Sequence, residues 1–158
     1  MRRLGAGVAV AALLVPAAGG AGYGPAVDYA LECQGCHRAG GEGTPGSVPA
    51  LAGSVARFLA VPGGREFLVR VPGVSQAPLD DAALAAVIDW MLRRFDPGHL
   101  PAGFRPYTPE EVGQLRRKPL TDVGTERARI VGALGAADES RSRDAPPLPP
   151  EGVQPHRE

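Results

Sequence analysis

Apolar positions recur along this chain in short runs at helical spacing, and no stretch alternates apolar with polar residues as a half-buried strand does. The clearest run places Leu84, Val87, Ile88, Met91, Leu92 and Phe95 on one face. It predicts a helix capped by Asp80 or Asp81, with Arg93 and Arg94 in the last turn, where the helix dipole favours cations. Asp96-Pro97-Gly98 then stops it. Near the start, Val27, Tyr29, Ala30 and Leu31 follow Gly24-Pro25, and proline is tolerated in a first turn, so a short helix is expected to run into Cys33. Residues 38–47 are a loop by their glycine content. Ser54 is placed to cap a short helix through Leu59, Gly63-Gly64 separates it from a helical segment over 65–71, and Pro72-Gly73 ends that segment.

Two more helices are expected beyond residue 100. Thr108-Pro109-Glu110-Glu111 combines a capping threonine, a first-turn proline and a glutamate three residues after the cap, and predicts a helix to about Arg117. The next begins near Thr121-Asp122 and carries Val123, Ile130, Val131 and Leu134 as one modest apolar stripe. The fold class is therefore all-α with long loops.

The two ends differ in material from this middle. Met1-Arg2-Arg3 is a short positive lead into residues 4–15, which are apolar or small throughout, and small residues follow to Gly22. This is the pattern of an export signal over 1–22, cut at about 18–22, and its apolar stretch is too short for a span of roughly 20 residues. An uncleaved N-terminal anchor is the alternative. Residues 137–158 combine charge with many prolines and little that can be buried, so a disordered Pro-rich tail is expected there. Between the ends lie a small domain over 23–100 and a helical extension over 101–136. The domain has fewer than eighty residues, too few to bury enough apolar area unaided.

Charge narrows the function. Over 23–100 six arginines and no lysine face eight acidic residues, and the whole chain balances 17 basic against 17 acidic side chains. A nucleic-acid binder would show a basic surplus.

The chemistry is concentrated in Cys33-Gln34-Gly35-Cys36-His37, which uses both cysteines of the chain. This is the spacing of a covalent c-type haem attachment: each thiol adds to one vinyl group, and the adjacent histidine is held under the iron. A redox disulfide and a zinc site are the alternatives. Zinc would need two further ligands at short spacing, and His99 and His156 are isolated; a thioredoxin-like motif would sit beside a βαβ pattern, which this chain does not show. A covalent haem would also complete the core of the small domain, and its attachment outside the bacterial inner membrane agrees with export.

With the haem motif, Tyr29 four residues before the first cysteine, Trp90 in the last helix of the domain, and Pro49-Ala50-Leu51-Ala52-Gly53, the stretch from 23 to about 95 resembles a class I cytochrome c domain. The resemblance implies a small class I cytochrome c fold wrapped round one covalent haem c. In it Tyr29 lies near Trp90, the Pro49 carbonyl accepts a hydrogen bond from the His37 ring and fixes its tautomer, and Leu51 packs on the haem face. It also implies a sixth iron ligand from a Met-Pro loop before the last helix. Here that loop is 72–79, with Ala77 before Pro78 and no methionine. Met91 and His99 remain as distal candidates, the first also explicable as core filler and the second as an exposed loop histidine. A site that is open, or closed by some other group, is the remaining alternative.

The function expected from the resemblance is a soluble periplasmic carrier of single electrons, not an enzyme, between a periplasmic dehydrogenase and a downstream oxidase or another cytochrome. No Ser/His/Asp set or paired catalytic carboxylates stand out. The absent loop methionine motivates a different class: a haem-based ligand binder or sensor, or a peroxidase-like protein, with an open sixth position. A third expectation is an accessory cytochrome subunit of a dehydrogenase complex. The extension over 101–136 is expected either to pack back on the domain or to dock a redox partner.

Overall fold

A computed structural model of the protein describes residues 22–144. The expected signal segment, apart from Gly22, and residues 145–158 of the expected tail lie outside the described residues. Within them the chain is helical, and the only sheet-like pairing is an isolated bridge between Thr44 and Val48.

The helices are α1 (Pro25–Glu32), α2 (Gln34–His37), α3 (Gly64–Arg70), α4 (Pro72–Ser75), α5 (Asp81–Phe95), α6 (Pro109–Arg116) and α7 (Val123–Asp144), with 3₁₀ turns at Ala56–Ala60 and Pro97–His99. Their starts follow local chemistry. Asp80 is the cap of α5, its Oδ1 accepting from the Ala83 N–H at 2.7 Å, and Thr108 caps α6 through the Glu111 N–H at 3.2 Å. Asp122 does the same for α7 through the Thr125 N–H at 3.0 Å. Pro72 both ends α3 and opens α4, because its ring disfavours a helical conformation at the preceding residue yet suits a first turn.

Two expectations are corrected. Ser54 does not cap: its hydroxyl donates back to the Ala50 carbonyl at 2.6 Å, and the following turn is 3₁₀ rather than α. Residues 137–144, expected to belong to a disordered tail, are the last turns of α7, which continues to Asp144. Asp138 is held there by Arg57 of the first 3₁₀ turn and by Arg141 at 2.9 Å, an ion-pair scheme that hydropathy does not register.

α1 packs against α5, and the core between them is aromatic: the Tyr29 ring lies 5.3 Å from Trp90 and 5.0 Å from Phe95. The helices after residue 100 pack back on this unit. α6 lies against α3 and α5, and α7 lies against α3 and the first 3₁₀ turn. Tyr107, Val112, Ile130 and Leu134 are buried in the same core as Leu84 and Ile88.

Polar groups fasten the extension as well. Arg65 holds both oxygens of Glu111, at 2.6 and 2.7 Å, and its guanidinium lies 3.8 Å over the Tyr107 ring. The strongest clamp is Arg116. It donates to the carbonyls of Ser75 at 3.0 Å, Ala77 at 2.6 Å and Leu79 at 2.7 Å, and to Asp81 Oδ1 at 3.2 Å, so the loop between α4 and α5 is closed from outside by α6.

Candidate functional site

The motif residues sit at the turn between α1 and α2. Cys33 ends α1 and opens α2, and the Cys36 and His37 amides both bond back to the Cys33 carbonyl, at 3.2 and 3.0 Å. This single helical turn puts Cys33, Cys36 and His37 on one cavity. The residue after it is strained: Arg38 has φ 64° and ψ 169°, a region populated almost only by glycine and costing of order 1–3 kcal/mol. Two bonds hold it there, from its own amide to the Gln34 carbonyl at 2.7 Å and from the Tyr29 hydroxyl to its carbonyl at 2.8 Å. Burial, with the negative neighbours Cys33 and Glu42, pushes the Tyr29 phenol up to about 12, so it remains a donor at any ordinary pH. Tyr29 and Trp90 thus support the turn from behind, in the core between α1 and α5.

His37 is oriented by the loop. Its Nδ1 lies 3.2 Å from the Pro49 carbonyl, which can only accept, so Nδ1 carries the proton and Nε2 keeps its lone pair. Burial lowers the His37 pKa and the Pro49 bond partly offsets this, so the neutral imidazole is favoured. The Pro49 carbonyl is placed in turn by glycine. Gly43 has φ +68°, and a Cβ there would overlap the Val48 carbonyl and lie 2.7 Å from the Pro49 oxygen. Leu51 is pinned by its amide to the Gly41 carbonyl at 2.7 Å, and Gly53 by its amide to the Phe95 carbonyl at 2.9 Å. Gly43 was not singled out by sequence, because glycine in a glycine-rich loop gives no local sign of which position is sterically required.

The surroundings of Cys33 bear on the redox alternative. Burial, then the charges of Glu32, Asp28 and Cys36, pushes the Cys33 thiol up to about 11. Redox-active thiols need the opposite, a depressed pKa beside positive charge. No group of three or more metal-ligating side chains gathers among the described residues.

The cavity itself measures about 380 Å³. Leu51, Val55, Phe58, Phe67, Leu68 and Met91 give it an apolar wall, continued by Val71, Pro72, Gly73 and Val74 at the start of α4. Two lining residues, Val123 and Arg127, come from α7, a contribution that the chain's periodicity did not indicate. Of the two distal candidates the structure brings only Met91 to the cavity. His99 lies in a separate cleft with Arg57 and Asp138, where its Nδ1 is 2.6 Å from Asp96 Oδ1. Asp96 is buried and its other oxygen accepts from the Ala56 amide at 2.8 Å, so His99 serves the junction after α5.

A planar, mostly apolar group that bonds two thiols and offers a metal to an imidazole nitrogen fits this set. Cys33, Cys36 and His37 belong to one lining, and most of the rest of that lining is apolar. No family model matches the chain. The chain is similar to two proteins of Thermus thermophilus named cytochrome c-552. One is 40% identical over 119 residues, covering 63% of this chain and 91% of the relative. The other, from a specified strain of that species, is 39% identical over 119 residues, covering 63% of this chain and 80% of the relative.

Proposed function

The chain belongs to the class I c-type cytochromes, a family of haem-bearing electron-transfer proteins, and from that premise we propose that it is a periplasmic mono-haem carrier of single electrons. The observation that carries this reading is the convergence of Cys33, Cys36 and a Pro49-oriented His37 on one apolar cavity. When bound, haem c supplies a one-electron Fe(III)/Fe(II) couple. Cys33 and Cys36 would hold it by thioether bonds, and His37 would offer Nε2 to its iron. Pro49 keeps that nitrogen free by taking the Nδ1 proton in a hydrogen bond, and Leu51, Phe58, Phe67 and Leu68 keep water out. Electrons come from a periplasmic dehydrogenase and pass to an oxidase or another cytochrome. Export by the segment 1–22 places the protein there, and among the described residues no helix is long and apolar enough to cross a membrane.

A second reading rests on the wall of the cavity after α3. Val71, Pro72, Gly73 and Val74 carry no side chain that ligates iron, and Arg116 clamps the loop that follows. If Met91 serves only as core, the sixth position is open and the protein binds small ligands.

Oxidised and reduced optical spectra of the holoprotein, with and without carbon monoxide, separate the two. For the carrier, low-spin spectra insensitive to carbon monoxide are expected, becoming high-spin and carbon monoxide-binding in Met91→Ala. Full carbon monoxide binding by the unaltered protein would establish the ligand binder instead.

A further inference from the structure

The cavity lining is apolar on most sides, yet α7 lowers one cation into it. Val123 and Arg127, one helical turn apart, both line the cavity, and Arg127 is half-buried. Two other arginines of α7, Arg129 and Arg141, are already matched. Arg129 bonds both oxygens of Glu126, at 3.1 and 2.7 Å, and the Pro62 carbonyl at 3.3 Å; Arg141 bonds Asp138 at 2.9 Å. Arg127 makes no hydrogen bond or ion pair among the described residues. The one carboxylate that shares its cavity, Glu32 on α1, is not within ion-pair distance of it. A guanidinium drawn out of water beside apolar groups is unfavourable unless an anion meets it, and its planar fork suits a carboxylate.

We propose that Arg127 is a carboxylate-binding residue of the haem site, meeting a propionate at the anionic edge of the cofactor, so that α7 forms part of the cofactor site. The inference rests on the haem reading given above. It also gives the extension a task besides packing, because the same helix buries Ile130 and Leu134 in the core and thereby fixes where Arg127 stands. Glu32 repels a carboxylate, which favours an orientation with the anionic edge turned toward α7.

A cation paired with a propionate offsets that negative charge near the iron and favours the ferrous state. The test uses the full-length holoprotein, with midpoint potentials of Arg127→Gln, Arg127→Lys and Arg129→Gln measured by optical redox titration. Covalent haem content is determined in parallel from pyridine haemochrome spectra. At a fixed poise Arg127→Gln is expected to lower the ratio of reduced to oxidised protein about tenfold, equivalent to about 59 mV for a one-electron couple. Arg127→Lys should recover most of the difference, and Arg129→Gln, whose charge is spent on Glu126, should leave that ratio within about twofold of the unaltered protein. A potential unchanged in Arg127→Gln at full haem content, or an equal shift in all three variants, would overturn the assignment. Absence of covalent haem from the unaltered protein would overturn the haem reading itself, and this inference with it.

Discussion

The double substitution Cys33→Ala/Cys36→Ala is expected to yield a chain that retains no haem after acidified-solvent extraction and that melts about 15 °C or more below the unaltered holoprotein. The size of the effect follows from the cavity. An enclosed void of about 380 Å³ would cost up to about 9 kcal/mol at the ~24 cal/mol per Å³ found for buried cavities. Water entering through the open mouth lowers that figure, but several kcal/mol remain. Whole-domain stabilities are about 5–15 kcal/mol, so the loss is comparable with everything that holds the fold. Calorimetry of the two proteins checks it. A variant with an unchanged melting temperature would mean that the cavity is not completed by a covalently held group.

Deleting residues 105–158 is expected to be nearly as damaging. It removes Tyr107, Val112, Ile130 and Leu134 from the core, and burying a large apolar side chain contributes about 1.5–3 kcal/mol. It also removes the Arg116 clamp, leaving the Ser75, Ala77 and Leu79 carbonyls without their partner. Since the truncated chain is expected not to accumulate in folded form, Arg116→Ala gives the graded readout. Its side chain is only 17% exposed and serves three carbonyls, each bond contributing about 1 kcal/mol, so a loss of about 2–4 kcal/mol is expected in denaturant titration. A truncated protein that melts like the full chain but exchanges electrons more slowly with its partners would show that the extension is a docking element and not part of the fold.

The sequence made the centre of the molecule legible and its wrapping much less so. Cys33, Cys36 and His37 are neighbours in the chain, and α5 shows its apolar face at regular spacing; both signals are local. Caps with a short-range mechanism, at Asp80 and Thr108, were legible for the same reason. Arg116 was not, because its partners lie 35 to 41 residues away and an arginine in a basic run looks like solvated surface. The last turns of α7 were missed on composition: Asp-Glu-Ser-Arg-Ser-Arg carries nothing to bury, and what fastens Asp138 is Arg57, 81 residues distant. Which of Met91 and His99 reaches the cavity depends on the direction of α5, which brings Met91 to its lining while His99 follows Asp96 into another cleft. Arg127 was invisible for a similar reason, since only the path of α7 reveals which of its arginines reaches the site.

On the proposed reading, single electrons are carried on a haem that Cys33 and Cys36 would anchor. A stoichiometric reductive titration of the purified full-length protein, followed by its visible absorption, tests that most directly. One electron per chain is expected, with oxidised haem bands replaced by reduced ones throughout. Uptake of two electrons per chain without haem bands, the behaviour of a Cys33–Cys36 disulfide couple, would contradict it.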